Sequence, residues 1–276
     1  VVSMATLDAL LQEGCIHSPL TRADVAFLRH FGIFRPEVRL QGTTLLGTDG
    51  AQAPADFNQD RDAVTRHCLG TSLQQGRIMH GGFFLGPRGF YDELRNMDPD
   101  TLNAINMTNI SYVNQLYGNE PLKRLQRVKA RFINTVFLAH ALGAATSDGL
   151  ENGKVVSGVG GQYNFVSQAH ELHDGRSILM LKSTREKDGV THSNIVWNYG
   201  HVTIPRHLRD IYVTEYGIAD VRGKCDRDVV AAMINIADSR FQPELLARAK
   251  QAGKLPADYE IPPAFRNNTP ERLEQA

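Results

Sequence analysis

Three glycines fall within four positions at Gly158-Val159-Gly160-Gly161, after Lys154-Val155-Val156 and before Gln162-Tyr163-Asn164-Phe165. Glycine takes left-handed backbone dihedrals without a Cβ clash, so this stretch reads as a tight turn that a ligand can approach closely. Backbone amides bared in such a turn bind an anion, or the oxyanion of a tetrahedral intermediate. The order Gly158-x-Gly160-Gly161 is not GxGxxG, and no Lys-Ser/Thr pair follows as in a phosphate loop. A plain strand-to-helix turn has the same composition. The loop becomes specific through its company further along the chain.

The 276 residues suffice for one large domain or two modest ones. Thirty Lys and Arg balance thirty Asp and Glu, so the net charge gives no sign of a nucleic-acid or membrane-surface partner. Cys15, Cys68 and Cys225 are odd in number, far apart and form no CxxC, which points to free thiols rather than disulfides or a zinc site. No apolar run approaches about eighteen residues, and no basic-then-apolar leader is present. The expected location is the cytoplasm. The chain opens Val1-Val2-Ser3-Met4 straight into a helical pattern, which reads as the start of a piece of something longer.

Leu7, Leu10 and Leu11 put an amphipathic helix over residues 6–14, with Thr6 capping its start and Gly14 its end. Thr21 and Asp24 form a capping-box-like start for a second helix through His30, broken by Gly32. Residues 41–60, rich in Gly, Thr, Asp, Ala, Pro and Gln, read as a loop, and a short helix over 62–69 follows. Residues 1–70 are thus expected as a helical and loop amino-terminal segment or insertion, and 71–276 as an α/β domain with an extended carboxyl-terminal tail. Its expected strands are 77–80, 177–181, 193–197, 201–204 and 210–215, with a hairpin favoured over 130–146. Helices are expected over 89–97, 167–172, 226–237 and 242–252. Interleaved strands and helices define an α/β class with a mixed open sheet flanked by helices.

Glu215, in Val213-Thr214-Glu215-Tyr216-Gly217, ends an apolar strand. Strand ends are where ligands bind in open α/β sheets, and a carboxylate there can serve as nucleophile, general base or positioning group. A surface carboxylate at a turn has the same local sequence. His170 and His173 are three apart rather than four, so HExxH is not met and no metal site is expected. Lys182, Arg185 and Lys187 form a small basic patch that could hold a phosphorylated ligand or simply face solvent. There is no GxSxG elbow and no Cys–His pair, which leaves carboxylate chemistry or a binding role.

Three segments in order, Gly158 to Phe165, Val213 to Lys224 and Ile234 to Phe241, together closely resemble the carboxyl-terminal half of the acetyl-CoA hydrolase / 4-hydroxybutyrate CoA-transferase family. Lys182-Ser183-Thr184-Arg185, Ser193 to Val196 and Tyr112-Val113-Asn114 look like further family segments, and the likeness covers residues 76–245. The resemblance implies a CoA-transferase fold. It also implies acyl transfer between CoA and a small carboxylate, through a glutamyl-CoA thioester. It implies acyl-CoA as substrate with no permanently bound cofactor, and a homodimer. Within it, Gly160 and Gly161 stand as oxyanion donors, and Asn114 as the asparagine that holds the nucleophilic glutamate. Glu215 stands as a carboxylate beside that site, and Gly158, Gln162 and Lys182 as contacts to CoA.

The family's nucleophilic glutamate has no counterpart here. Glu37 follows Pro36 in an unmatched context, and Glu13 lies on the wrong part of its helix. The expectation is therefore that the nucleophile lies before Val1, in an amino-terminal half that packs against this one, and that residues 1–276 alone are inactive. The other expectation is a regulatory module that binds CoA thioesters without turnover.

Overall fold

Residues 2–82 and 85–275 are described by the computed structural model. In the first of two compact units, Val1–Val128, Leu7 and Leu10 of helix α1 (Met4–Gln12) are fully buried. Ser3, not Thr6, is its N-cap; the Thr6 hydroxyl accepts from the Ser3 amide. Gly14 takes φ +67° beyond its end, where a Cβ would be strained. Helix α2 (Arg22–His30) starts with the reciprocal cap its sequence announces, Asp24 N–H to Thr21 Oγ1 and Thr21 N–H to Asp24 Oδ2.

The stretch expected as loop instead carries an antiparallel sheet of β1 (Arg39–Gln41), β2 (Thr44–Leu46) and β3 (Gln52–Pro54). Each strand is three residues long, and only Leu45 and Ala53 are buried among them. Strands this short show no alternation in a sequence. Helix α3 (Arg61–His67) lies beside them, and Val64 joins Phe34 and Phe57 in the core of this unit.

Strand β4 (Met79–Gly81), helices α4 (Arg88–Asn96) and α5 (Pro99–Ala104), and strand β5 (Ile105–Met107) come next, with β4 and β5 paired in parallel. The short helix α6 (Ile110–Asn114) leads to α7 (Glu120–Gln126). Leu122 of α7 packs into the amino-terminal core and Arg124 pairs with Glu13, the residue that caps the end of α1, at 3.0 Å. The two compact units divide at Val128/Lys129.

The second unit, Lys129–Ala276, is built on a four-stranded sheet. Residues 130–146, expected as one hairpin, serve two sheets. Strand β6 (Arg131–Thr135) joins the large sheet, whereas β7 (Leu138–His140) and β8 (Ala145–Thr146) form the hairpin around Gly143, at φ +84°. Helix α8 (Gln162–Glu171) starts directly after the glycine turn, earlier than the expected residue 167. Strand β9 (Arg176–Met180) runs parallel to β6.

Strands β10 (Thr184–Lys187) and β11 (Val190–Ser193) make a hairpin with no buried residue that pairs only with itself among the described residues. Strand β12 (Ile195–Val196) pairs in parallel with β7. Residues 201–204 contribute only an isolated bridge from Ile204 to Ala145 rather than a strand. Strand β13 (Ile211–Thr214) runs parallel to β9, and the chain then reverses through Glu215-Tyr216 into β14 (Gly217–Asp220). Gly217 therefore starts a strand instead of stopping one. The sheet order is β14-β13-β9-β6, with only β14 antiparallel, a mixed α/β arrangement as expected.

Val229, Val230, Met233 and Ile234 of α9 (Asp226–Asn235) are fully buried in the core of this unit, to which α10 (Gln242–Gln251) adds Leu245 and Ala249. The tail folds back before α11 (Pro270–Glu274). There the buried Asn268 amide donates to the carbonyls of Asn235 and Ala237 at 2.8 and 2.9 Å.

Candidate active site

Parallel strands β6, β9 and β13 all end on the same edge of the sheet, where open α/β sheets collect ligands. A cavity of about 660 Å³ opens there. Thr135, Val136, Phe137 and Leu138 supply one wall, Thr146, Gly149, Leu150 and Tyr199 another, and Lys182, Thr184, Arg185 and Asn194 a cationic end. The size is that of a small-molecule site. Among the described residues no carboxylate lines it.

The loop after β9 is fixed from two sides. Asn194, buried, donates its side-chain amide to the Lys182 carbonyl at 2.9 Å, and its backbone amide to the Ser183 carbonyl at 2.7 Å. From the other side Glu215 accepts three hydrogen bonds from Ser183. Two come from the backbone amide at 2.9 and 3.2 Å and one from the hydroxyl at 2.6 Å. Ser183 is fully buried, and its neighbours Lys182 and Thr184 face the cavity. The Lys182 ammonium makes no hydrogen bond or ion pair with any described residue, whereas Arg185 donates to Asn194 Oδ1 at 2.7 Å and to the Ser193 carbonyl at 3.0 Å.

The glycine turn is exposed. Gly160 sits at φ +58°, the left-handed region its sequence anticipates, and Gly161 is the N-cap of α8. Neither amide has a hydrogen-bond acceptor among the described residues. Gly158 has an ordinary φ and open space where a Cβ would stand. Gln162 is buried and donates its Nε2 to the Thr135 carbonyl at 2.8 Å, tying the start of α8 to the cavity wall. Its Oε1 and the nearby Asn134 Nδ2 are buried without partners among the described residues.

Of the expected site residues only Lys182 lines the cavity; Gln162 and Glu215 hold its walls through Thr135 and Ser183, and Gly158, Gly160 and Gly161 do not line it. Asn114 belongs to the first unit, half-buried at the last position of α6. Ser183, Asn194, Phe137 and Tyr199 were missed by sequence reasoning. A Ser partner for Glu215, 32 residues away, leaves no local signal.

A buried polar chain backs the cavity. The Thr146 hydroxyl donates its one proton to the His201 carbonyl at 2.5 Å, so His140 Nε2, 3.1 Å from the same oxygen, must be the donor to it. Burial holds His140 below the usual histidine range. Asp148 accepts from Thr203 and from His201, and those hydrogen bonds keep its carboxyl below the ordinary value. Behind Glu215, Tyr216 donates to Asp238 at 3.1 Å, and burial with that carboxylate pushes the phenol up to about 12. His170 Nδ1 bonds the Val166 carbonyl at 2.9 Å within α8, and among the described residues no group of three or more His, Cys, Asp or Glu is placed to hold a metal.

Residues 86–249 match the acetyl-CoA hydrolase/transferase C-terminal domain, and the chain belongs to that family. It is 31% identical over 181 residues to a 4-hydroxybutyrate coenzyme A transferase of Clostridium kluyveri, covering 65% of this chain and 39% of that protein. It is also similar to an acetyl-CoA hydrolase of Yarrowia lipolytica, 30% identical over 141 residues, covering 50% of this chain and 26% of that one. Among solved structures, RipA from Yersinia pestis superposes with a TM-score of 0.50 at 28% identity, covering 63% of this chain and 37% of that one. The chain therefore spans less than two fifths of the length of these relatives. No described helix is long and apolar enough to cross a membrane.

Proposed function

We propose that this chain supplies the carboxyl-terminal catalytic half of an enzyme that moves CoA from an acyl-CoA to a small carboxylate, or hydrolyses the acyl-CoA to the acid and free CoA. The observation that carries the reading is the cavity at the carboxyl edge of β6 and β9. It joins an apolar wall to an unpaired Lys182 ammonium, complementary to an acyl thioester with anionic groups.

In this reading a glutamate carboxylate attacks the thioester carbonyl. The C–S bond breaks, giving an acyl-glutamyl anhydride and CoA thiolate. The thiolate then attacks the glutamyl carbonyl, releasing the acid and leaving a glutamyl-CoA thioester, which an acceptor carboxylate or water resolves. Each tetrahedral intermediate carries an oxyanion that needs preorganised donors. The Gly160 and Gly161 amides at the start of α8 are this chain's donors, and Asn114 is the hydrogen-bond partner of the glutamate. Glu215 acts as a brace: Ser183 occupies both of its oxygens.

In this reading the attacking glutamate belongs to a part of the protein outside residues 1–276; that no carboxylate lines the cavity among the described residues, and that Glu13 is paired with Arg124, support it. That same observation favours a second reading, a module that binds CoA thioesters without turnover. Incubation of the full natural polypeptide with acetyl-CoA, then borohydride, separates the two. A trapped glutamyl thioester is reduced to the alcohol, so the chain loses one oxygen and gains two hydrogens at a site that peptide mapping locates. Modification of a glutamate outside this chain supports the transferase. CoA binding with no modification supports the module, and modification at Glu215 sinks the bracing role.

A further inference from the structure

Within the first unit a second, smaller cavity of about 250 Å³ lies between β4, α6 and α7. Arg77, His80, Lys123 and Arg127 line it with Gln126 and Tyr112, and among the described residues no carboxylate does. Lys123 is 2% exposed. Its ammonium donates to the carbonyls of Gln115 and Tyr117 at 2.8 and 2.6 Å and stands 4.0 Å over the Tyr112 ring. Arg127 donates to the carbonyls of Tyr112, Val113 and Gln115. The two neutral carbonyls hold the Lys123 ammonium without cancelling its charge. The nearest acid on α7, Glu120, bonds Arg124 at 2.8 Å, on the helix surface shared with Glu13.

Like charges gathered around one void, with Lys123 buried and Arg127 half-buried, are costly unless something compensates them. His80 registers their field. Burial first, then Arg127, Arg77 and Lys123, holds its imidazole below the usual range, against an opposing hydrogen bond with Gln126. The Asn106 amide donates to His80 Nδ1 at 3.0 Å, so Nε2 carries the proton of the neutral ring. That N–H, bonded to Gln126, and the exposed Arg77 guanidinium, whose bond to the Gly76 carbonyl is long at 3.5 Å, are the donors that can turn to an incoming anion. The volume falls below the ~300 Å³ at which pockets begin to hold whole drug-sized ligands, which fits one compact group.

We infer that this cavity is an oxyanion site for a single phosphate group, held by Arg77 and His80 Nε2 in the potential of Lys123 and Arg127. Two sources share that chemistry: inorganic phosphate, and a terminal phosphomonoester on a larger ligand such as CoA. Only the second source rests on the function proposed above.

The test follows the His80 imidazole by NMR in the 276-residue chain, its resonance assigned with H80Q. Inorganic phosphate is expected to shift it saturably and to raise its pKa, and Arg77→Gln to weaken phosphate binding about tenfold, the loss of one charge-assisted hydrogen bond. Arg77 is exposed and leaves the fold intact. CoA is then compared with dephospho-CoA. A response to CoA but not to dephospho-CoA assigns the phosphomonoester as the natural occupant, and a response to phosphate alone assigns the free ion. If chloride at matched ionic strength moves His80 as phosphate does, or if R77Q binds phosphate like the parent, the site is not there. CoA failing to bind this chain and the full natural polypeptide alike, while phosphate still shifts His80, overturns the proposed function and spares this one.

Discussion

Glu215 and Ser183 are locked together across two parallel strands, with the serine amide and hydroxyl both donating to one carboxylate. Ser183 is fully buried while Glu215 is exposed, so the pair pins the loop after β9 to the turn after β13. Removing the carboxylate leaves a buried amide without an acceptor, at a cost of about 1–3 kcal/mol. Glu215→Ala is expected to lose that much in urea unfolding and to weaken acyl-CoA binding through the slackened Lys182. Glu215→Gln keeps an acceptor oxygen and should recover most of the stability. If E215A is as stable as the parent yet inactive in the full enzyme, the carboxylate touches substrate and is no brace.

Lys182 gives the opposite profile. Its ammonium bonds no described residue and its side chain is exposed, so nothing in the fold depends on it. Lys182→Met should change stability by no more than ~0.5 kcal/mol. Acyl-CoA affinity, read by calorimetry, should fall roughly tenfold for one charge-assisted hydrogen bond. Unchanged affinity would remove the cationic end of the cavity from the binding reaction.

Features with local causes were legible in the sequence. The Thr21–Asp24 cap and the left-handed Gly160 each depend on a few neighbouring residues and stand as read, and the helix expected over 226–237 runs Asp226–Asn235. Glu215 at the end of an apolar strand was visible for the same reason. What it bonds was not, because Ser183 becomes its neighbour only when β9 and β13 pair. The β10–β11 hairpin hid because none of its residues is buried, so no inward face makes a period. The cavity hid because its walls come from separate segments that meet only at one sheet edge.

The glycine turn offers a paired test. Gly160 has φ +58° with open space where a Cβ would stand, so Gly160→Ala meets no neighbour but costs about 1–2 kcal/mol of backbone strain. Gly158 has the same open space without the left-handed φ, and Gly158→Ala should be nearly neutral in stability. If the turn presents oxyanion donors, G160A should also depress turnover in the full enzyme more than its stability loss explains, and G158A should not. Equal effects of the two on stability and turnover would mean that the left-handed position has no special role.

His140 sets an acid limit on the second unit. Its Nε2 is already the donor to Thr146, so protonation must occur at Nδ1, in a side chain whose residue is only 4% exposed. Burial therefore lowers its folded pKa from the ordinary 6.5. A histidine lowered in the folded state binds protons more readily when unfolded, so stability rises with pH. Its contribution is complete above pH 6.5 and is lost as the pH falls below that value toward the folded pKa. His80 acts in the same direction in the first unit, through burial and its cationic neighbours. Carboxylates such as Asp148, lowered from 3.8, act only in more acid solution, so the two windows separate. Urea unfolding across mildly acid pH should show stability falling with acid in the parent. The slope should be shallower in His140→Asn, which keeps an amide donor near Thr146 and cannot be protonated. An identical slope in that variant would place the acid sensitivity elsewhere.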